Sequence, residues 1–403
     1  MKFLRLAFYV LIAQLVLSGC AGEAVEETSS SSSSEINFDA YVGRNASTRS
    51  SVTDIDFLKK DLKDAYNAGF GVFARYNHTD GTISSLMDTE WVTWNKDQNP
   101  NHWEYTNTRY WPNEGFVDFY AFAPYNGGVK MGKLPDYLAQ VNKPDSKDET
   151  YIWFPSNWNP VDLLWANAFD QTKENNSGAK KVEFIFNHAT ARLGFDITAN
   201  QTDEVITVNN MKLYCVSNNE RKGVFDMEGY LNLKTGNWYV VNNEDTRWYY
   251  TWTPTGNDGE GPDVGKGPEL KLDGDKLSNP NDIIKNSPHS YIFIIPQEIP
   301  HQEKKEDFYL EITYTVGNST NPVTVKKNLL DVLRPGDPNP SFTFERGKAY
   351  DFHLKLSPNS SHSRVTTNVK NWDVDVVNNV PCNQIGRKFP IRPEPTATGR
   401  RER

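Results

Sequence analysis

Ile36-Asn37-Phe38-Asp39-Ala40-Tyr41-Val42 decides the reading of this chain. Apolar Ile36, Phe38, Ala40 and Val42 alternate with Asn37, Asp39 and Tyr41, the period of a strand with one buried face. Directly after it comes Gly43-Arg44-Asn45-Ala46-Ser47-Thr48-Arg49-Ser50. Its two arginines and lack of any apolar side chain larger than alanine mark an exposed segment, open to proteolysis. Directly before the alternation, Ser29 to Ser34 make a polar tether with nothing to bury.

The tether leads back to an export signal. Lys2 and Arg5 precede an apolar run of 12 residues, Leu6 to Leu17, and Ser18-Gly19 place small residues before Cys20. A membrane-spanning helix needs about 20 apolar residues, so the run is too short to remain as a span. The spacing Leu17-Ser18-Gly19-Cys20 predicts a lipoprotein signal over residues 1–19 and acylation of Cys20, an ordinary secretory signal being the alternative. Several acyl chains on one residue anchor firmly where a single chain is marginal. Ala21 follows the cysteine, and Glu23, Glu26 and Glu27 are compatible with sorting to the outer face of an outer membrane.

Composition bounds the remainder. A length of 403 residues exceeds what one core usually serves, which points to two domains. Without residues 1–19, which hold two basic and no acidic side chains, 41 basic residues stand against 52 acidic ones. No basic face is left for nucleic acid. Beyond Cys20 there are only Cys215 and Cys382, with a disulfide and two separate thiols both open. No Cys/His spacing suits zinc, Asp273-Gly274-Asp275 lacks the remaining ligands of a calcium loop, and no cofactor motif occurs.

Along the chain, Ile55, Leu58, Leu62 and Ala65 form a helical stripe with Asp54 as cap and Gly69 as stop. Strands are expected at 70–76, in a hairpin over the aromatic stretch 91–111, at 116–123 and at 151–154. Short helices are expected at 134–141 and in a turn at 160–166. The polar break 171–180 is read as a domain boundary. Further strands follow at 182–186, 191–199, 205–216, 229–234, 238–241, 248–253, 291–296, 308–316, 323–332 and 350–356, with 254–282 as a surface loop. Many short strands and few helices predict packed β-sandwiches.

Six phrases in order resemble the fimbrillin family, the pilins of type V fimbriae that mature from lipoprotein precursors. They are Ile36 to Arg49; Tyr110-Trp111-Pro112 with Val117-Asp118-Phe119-Tyr120-Ala121-Phe122-Ala123-Pro124; His188-Ala189-Thr190-Ala191-Arg192-Leu193; Ile294-Ile295-Pro296-Gln297; Gly347-Lys348-Ala349-Tyr350-Asp351-Phe352; and Trp372. The resemblance implies an all-β chain of two transthyretin-like β-sandwiches in tandem with a few short helices. The organisation it gives is a signal at 1–19, a tether at 20–35, domains at 36–178 and 179–376, and a Pro/Arg-rich tail at 377–403. It also implies a route: cleavage by an arginine-specific protease after Arg49 or Arg44, loss of the strand bearing Ile36, Phe38, Ala40 and Val42, and filling of the vacated groove by a strand from another pilin subunit. The expected place is the cell surface, on the outer membrane and in the pilus.

Pro381, Pro390, Pro393 and Pro395 make 381–403 a poor donor strand, with 372–380 left open as a donor or as the last strand of the second domain, and this departure from the stalk pattern favours a tip or accessory subunit. Such a subunit binds a partner, and Trp91, Trp94 and Trp103 are the candidate contacts with a surface glycan, in competition with a role as core or cross-strand pairs. A lipid-anchored glycan-binding protein that does not polymerise is the alternative function. Catalysis is not expected. Asp118, Glu228 and Glu311 lie in no catalytic motif, and although His188 and Arg192 resemble a polar site, a satisfied structural histidine is the simpler reading.

Overall fold

The computed structural model describes residues 35–42, 53–63, 65–142, 148–155, 162–177, 180–199, 204–216, 225–226, 228–240, 250–253, 263–266, 270–272, 292–299, 307–338 and 340–371. The chain is mostly strand, with short helices between the strands. The first part holds β1 (Phe38–Val42), α1 (Ile55–Leu58), β2 (Phe70–Asn77), β3 (Ile83–Asn95), β4 (His102–Glu104), β5 (Phe116–Ala123), β6 (Met131–Gly132), α2 (Asp136–Asn142), β7 (Tyr151–Pro155), β8 (Leu164–Gln171) and β9 (Val182–His188). Then come β10 (Ala191–Ala199), β11 (Ile206–Val216), β12 (Glu228–Asn232), β13 (Trp238–Val240), β14 (Tyr250–Thr253), β15 (Asp263–Lys266), β16 (Leu270–Leu272), β17 (Ile292–Ile294) and β18 (Gln297–Ile299). The last are β19 (Asp307–Val316), β20 (Val323–Asn328), α3 (Leu329–Leu333), β21 (Phe342–Phe344), β22 (Lys348–Leu356) and β23 (Arg364–Asn371).

Seven strands form one sheet in the order β1-β9-β8-β5-β2-β3-β4. It is covered on both faces, which explains the near-continuous apolar run in β5. Phe70, Val72, Phe119 and Ala121 point to one core with β1, while Phe73, Tyr120 and Phe122 point to the other. The second core is closed by the sheet β13-β12-β7-β6, which joins strands from both halves of the chain. Beyond β9, the sheets β17-β10-β22-β23 and β15-β14-β11-β19-β20 face each other. Leu193, Phe195, Tyr350 and Phe352 from one meet Ile206, Leu310, Ile312 and Tyr314 from the other, as in a sandwich. β9 lies past the polar break at 171–180, yet it pairs with β1 and β8 and so completes the first sheet.

Several local expectations are corrected. The helix expected over 54–68 is confined to α1: Asp54 does cap it, accepting from the Phe57 amide at 2.6 Å, but Leu62 and Tyr66 are exposed and the Gly69 amide returns to the Leu58 carbonyl at 2.9 Å. Beyond Leu58 the apolar stripe has no surface to cover. The helical turn expected at 160–166 gives way to strand β8 from Leu164 on, because Leu164 and Trp165 feed the cores on opposite faces of the sheet. The strand expected over 323–332 stops at Asn328, whose side chain accepts from the Leu330 amide at 2.9 Å and starts α3. Two strands, β15 and β16, lie within the expected loop 254–282.

Candidate functional site: the first strand and the aromatic cleft

β1 is an edge strand. It pairs in parallel with β9 from Phe38 opposite Val182 to Val42 opposite Phe186. The alternation read from the sequence is the buried face: Ile36, Phe38 and Ala40 are enclosed, and Val42 packs at the rim of the same core. Phe38 meets four rings, stacking on Phe184 at 5.6 Å and touching Phe70, Tyr105 and Phe119 between 5.5 and 6.5 Å. Tyr41 on the other face is exposed and donates to Asp39.

Among the described residues, the outer side of this strand is held by a few groups rather than by another full strand. The Ile36 amide donates to the Arg109 carbonyl at 2.8 Å, and the Tyr105 hydroxyl donates to the Ile36 carbonyl at 2.7 Å. Burial pushes the Tyr105 hydroxyl up to about 12, so it remains a protonated donor. Further on, the Ala40 amide bonds the adjacent Asp39 carboxylate at 2.9 Å.

Past the arginine-bearing segment, the chain is fastened again at Thr53. Its amide donates to Asp162 Oδ2 and its hydroxyl to the Asp162 carbonyl, both at 2.7 Å. Asp162 is fully buried and meets His188 Nδ1 at 2.8 Å. Burial pushes its carboxyl above the ordinary value, against the pull of His188 and the Thr53 amide. His188 is thus bound within the fold, and Arg192 approaches Asp351 at 3.7 Å. The sequence reading missed Thr53 and Asp162, because 109 positions separate them and neither lies in a motif. Cys20, Arg44 and Arg49 lie outside the described residues, as does Cys382.

The three tryptophans do not share a surface. Trp103 is 2% exposed and packs edge-on against Phe70 at 5.0 Å and Trp94 at 5.1 Å. Trp94 is partly buried beneath the Lys59 ammonium, 4.2 Å from its ring. Trp91 stands apart and lines a cleft of about 320 Å³ with Tyr66, Asn67, Tyr125, Asn126 and Trp153, over a floor that includes Phe122 and Leu163. Its indole donates to the Ala68 carbonyl at 2.9 Å, and its ring stacks on Tyr125 at 4.5 Å with planes 6° apart.

Among the carboxylates considered, Asp118 accepts from Asn77 Nδ2 at 3.0 Å and from the Asp170 amide at 2.9 Å, and Glu311 accepts from the Tyr214 hydroxyl at 2.8 Å. These bonds tie strands together. Among the described residues, no group of three His, Cys, Asp or Glu side chains is placed to hold a metal.

No curated protein sequence matches this chain. A fimbrial protein from Bacteroides vulgatus has a similar fold, with a TM-score of 0.51 at 17% identity over 84% of this chain and 99% of that one. The tip fimbrial protein Mfa3 from Porphyromonas gingivalis, truncated at its C-terminus, aligns at 11% identity over 76% of this chain and 96% of that one, with a TM-score of 0.33. The fimbrillin-like family matches residues 48–372, and the chain belongs to that family.

Proposed function

We propose that this chain is a subunit of a cell-surface pilus, exported as a lipoprotein on Cys20 and carried to the outside of the outer membrane. There it is cut after Arg49, or after Arg44, loses β1, and takes an extended strand from a neighbouring subunit into the vacated groove. One observation carries the reading: a single continuous segment at a sheet edge contributes Ile36, Phe38 and Ala40 to the core, and among the described residues its outer side is held by few bonds. Its loss opens a row of backbone groups on β9 and an apolar trough, and strand addition restores both. The proline-rich tail favours a tip or accessory subunit over a stalk subunit. A catalytic role is not proposed.

The test is the N-terminal residue of the protein recovered from intact cells, read by mass spectrometry. A chain beginning at Ser50 or Asn45 is expected. An acylated Cys20 as the sole N-terminus would overturn the cleavage step and leave the second reading, an anchored protein that does not polymerise and holds a glycan.

A further inference from the structure

We propose that the cleft formed by Tyr66, Asn67, Trp91, Tyr125, Asn126 and Trp153 binds a neutral sugar ring at the end of a glycan. The inference deepens the adhesive side of the proposed function, rests on that side alone, and is independent of strand exchange. It moves the contact away from Trp94 and Trp103, whose rings are taken up by the core.

The chemistry of the lining carries the assignment. Large aromatic side chains are costly to leave in water, yet Tyr66 is 80% exposed and Trp153 is 46% exposed, and both border the cleft. Aromatic faces bind the apolar C–H face of a pyranose and bury large area at small entropy cost. Trp91 and Tyr125 are fixed by their own stack and by the indole bond to Ala68, so this wall is rigid before a ligand arrives. Hydroxyl recognition needs hydrogen-bonding groups, and two side-chain amides are present. Asn126 uses its side-chain oxygen on the Gly128 amide at 2.9 Å, which leaves its NH₂ group to donate. Asn67 enters the fold through its backbone carbonyl, which accepts from the Tyr125 amide at 3.1 Å, leaving the side chain for a ligand. Among the described residues that line the cleft none is charged, which disfavours sialylated or sulfated ends and selects neutral ones. A volume near 320 Å³ is at the small end for ligand sites and suits one or two sugar rings.

The experiment is saturation-transfer NMR on the chain as recovered from cells, with methyl glycosides of galactose, mannose and N-acetylglucosamine and with N-acetylneuraminic acid. At least one neutral glycoside is expected to bind and the acidic sugar to give no transfer. Tyr66→Ala should weaken binding about five- to tenfold, and Asn126→Ala about threefold or more. The Tyr66 ring is so exposed that this variant keeps its melting temperature, and Tyr137→Ala, an exposed ring elsewhere, serves as a control that binds normally. Transfer to none of the neutral glycosides, or binding that Tyr66→Ala and Asn126→Ala leave unchanged, would overturn the proposal. Failure of the pilus reading looks different: cells then carry only acylated Cys20, while the cleft still takes the sugar.

Discussion

Replacing Phe38 by alanine tests whether β1 is both part of the core and removable from it. Phe38 is 1% exposed and touches four aromatic rings. Truncating such a side chain costs about 3–5 kcal/mol. The whole strand is worth more: full burial of Ile36 and Phe38 contributes about 1.5–3 kcal/mol each, and Ala40 about 0.8, before any backbone bond is counted. Set against a typical total of about 5–15 kcal/mol, loss of β1 leaves a marginal domain that gains by capturing another strand. The assay uses a chain that begins at Ser50 and a synthetic peptide spanning 36–42. Urea denaturation of the shortened chain should show a midpoint well below that of the intact chain, recovered when the peptide is added. The Phe38→Ala peptide should bind about two to four orders of magnitude more weakly, the same 3–5 kcal/mol read as affinity. The reasoning is refuted if the shortened chain is as stable as the intact one, or if the two peptides bind alike.

Three further outcomes are expected. Asp162→Ala leaves His188 and the Thr53 amide buried without their partner, and a loss of about 3–5 kcal/mol is expected in urea melts, with faster hydrogen exchange at the Thr53 amide. Gly69→Ala places a Cβ 2.2 Å from the Val92 carbonyl oxygen at a φ of +85°, and should lower stability by about 2 kcal/mol or more, seen as a lower melting temperature. Burial pushes the Asp226 carboxyl from 3.8 up to about 6. A carboxyl raised on folding is held protonated by the native state, so its penalty is absent below about pH 3.8, grows as pH rises, and is complete above about pH 6. The gap is worth about 3 kcal/mol. Asp226→Asn should therefore match the parent at pH 3.5 and exceed its stability at pH 8, measured by urea melts at both.

What could be read from the sequence was whatever the strand period carries locally. β1 was legible because one face is apolar and the other is not, and β5 because both of its faces are covered. β23 was not, since Arg364 to Asn371 is largely solvent-facing and offers only Val365 and Val369 as apolar side chains. The end of β20 depended on one side chain, Asn328, choosing to cap a helix within an otherwise strand-like run. In the aromatic stretch the same period sorts the tryptophans. Trp91 and Trp94 are three positions apart on β3, so alternation puts them on opposite faces. Trp94 pairs with Trp103 toward the first core, and Trp91 faces the cleft. Parity alone separates the two tryptophans; the rest of the cleft comes from residues 66, 125 and 153, which only the tertiary fold assembles.

Departure of a strand without unfolding needs two conditions, and the connection between β1 and the rest of the chain meets both. The leaving segment must make its core contacts by itself, as Ile36, Phe38 and Ala40 do. The chain beyond the cut must be fastened separately, and Thr53 is held by two bonds to Asp162 that involve no residue of β1. Residues 43–52 join these two fixed points and contain both arginines proposed for cleavage. The trough left by β1 lies on the face of the sheet that bears Phe70 and Phe119, whereas Phe122, in the floor of the cleft, belongs to the opposite face. A strand arriving in the trough and a sugar ring held in the cleft would therefore occupy opposite faces of one rigid sheet. The strand proposed for assembly and the sugar proposed for adhesion thus use different surfaces of the subunit.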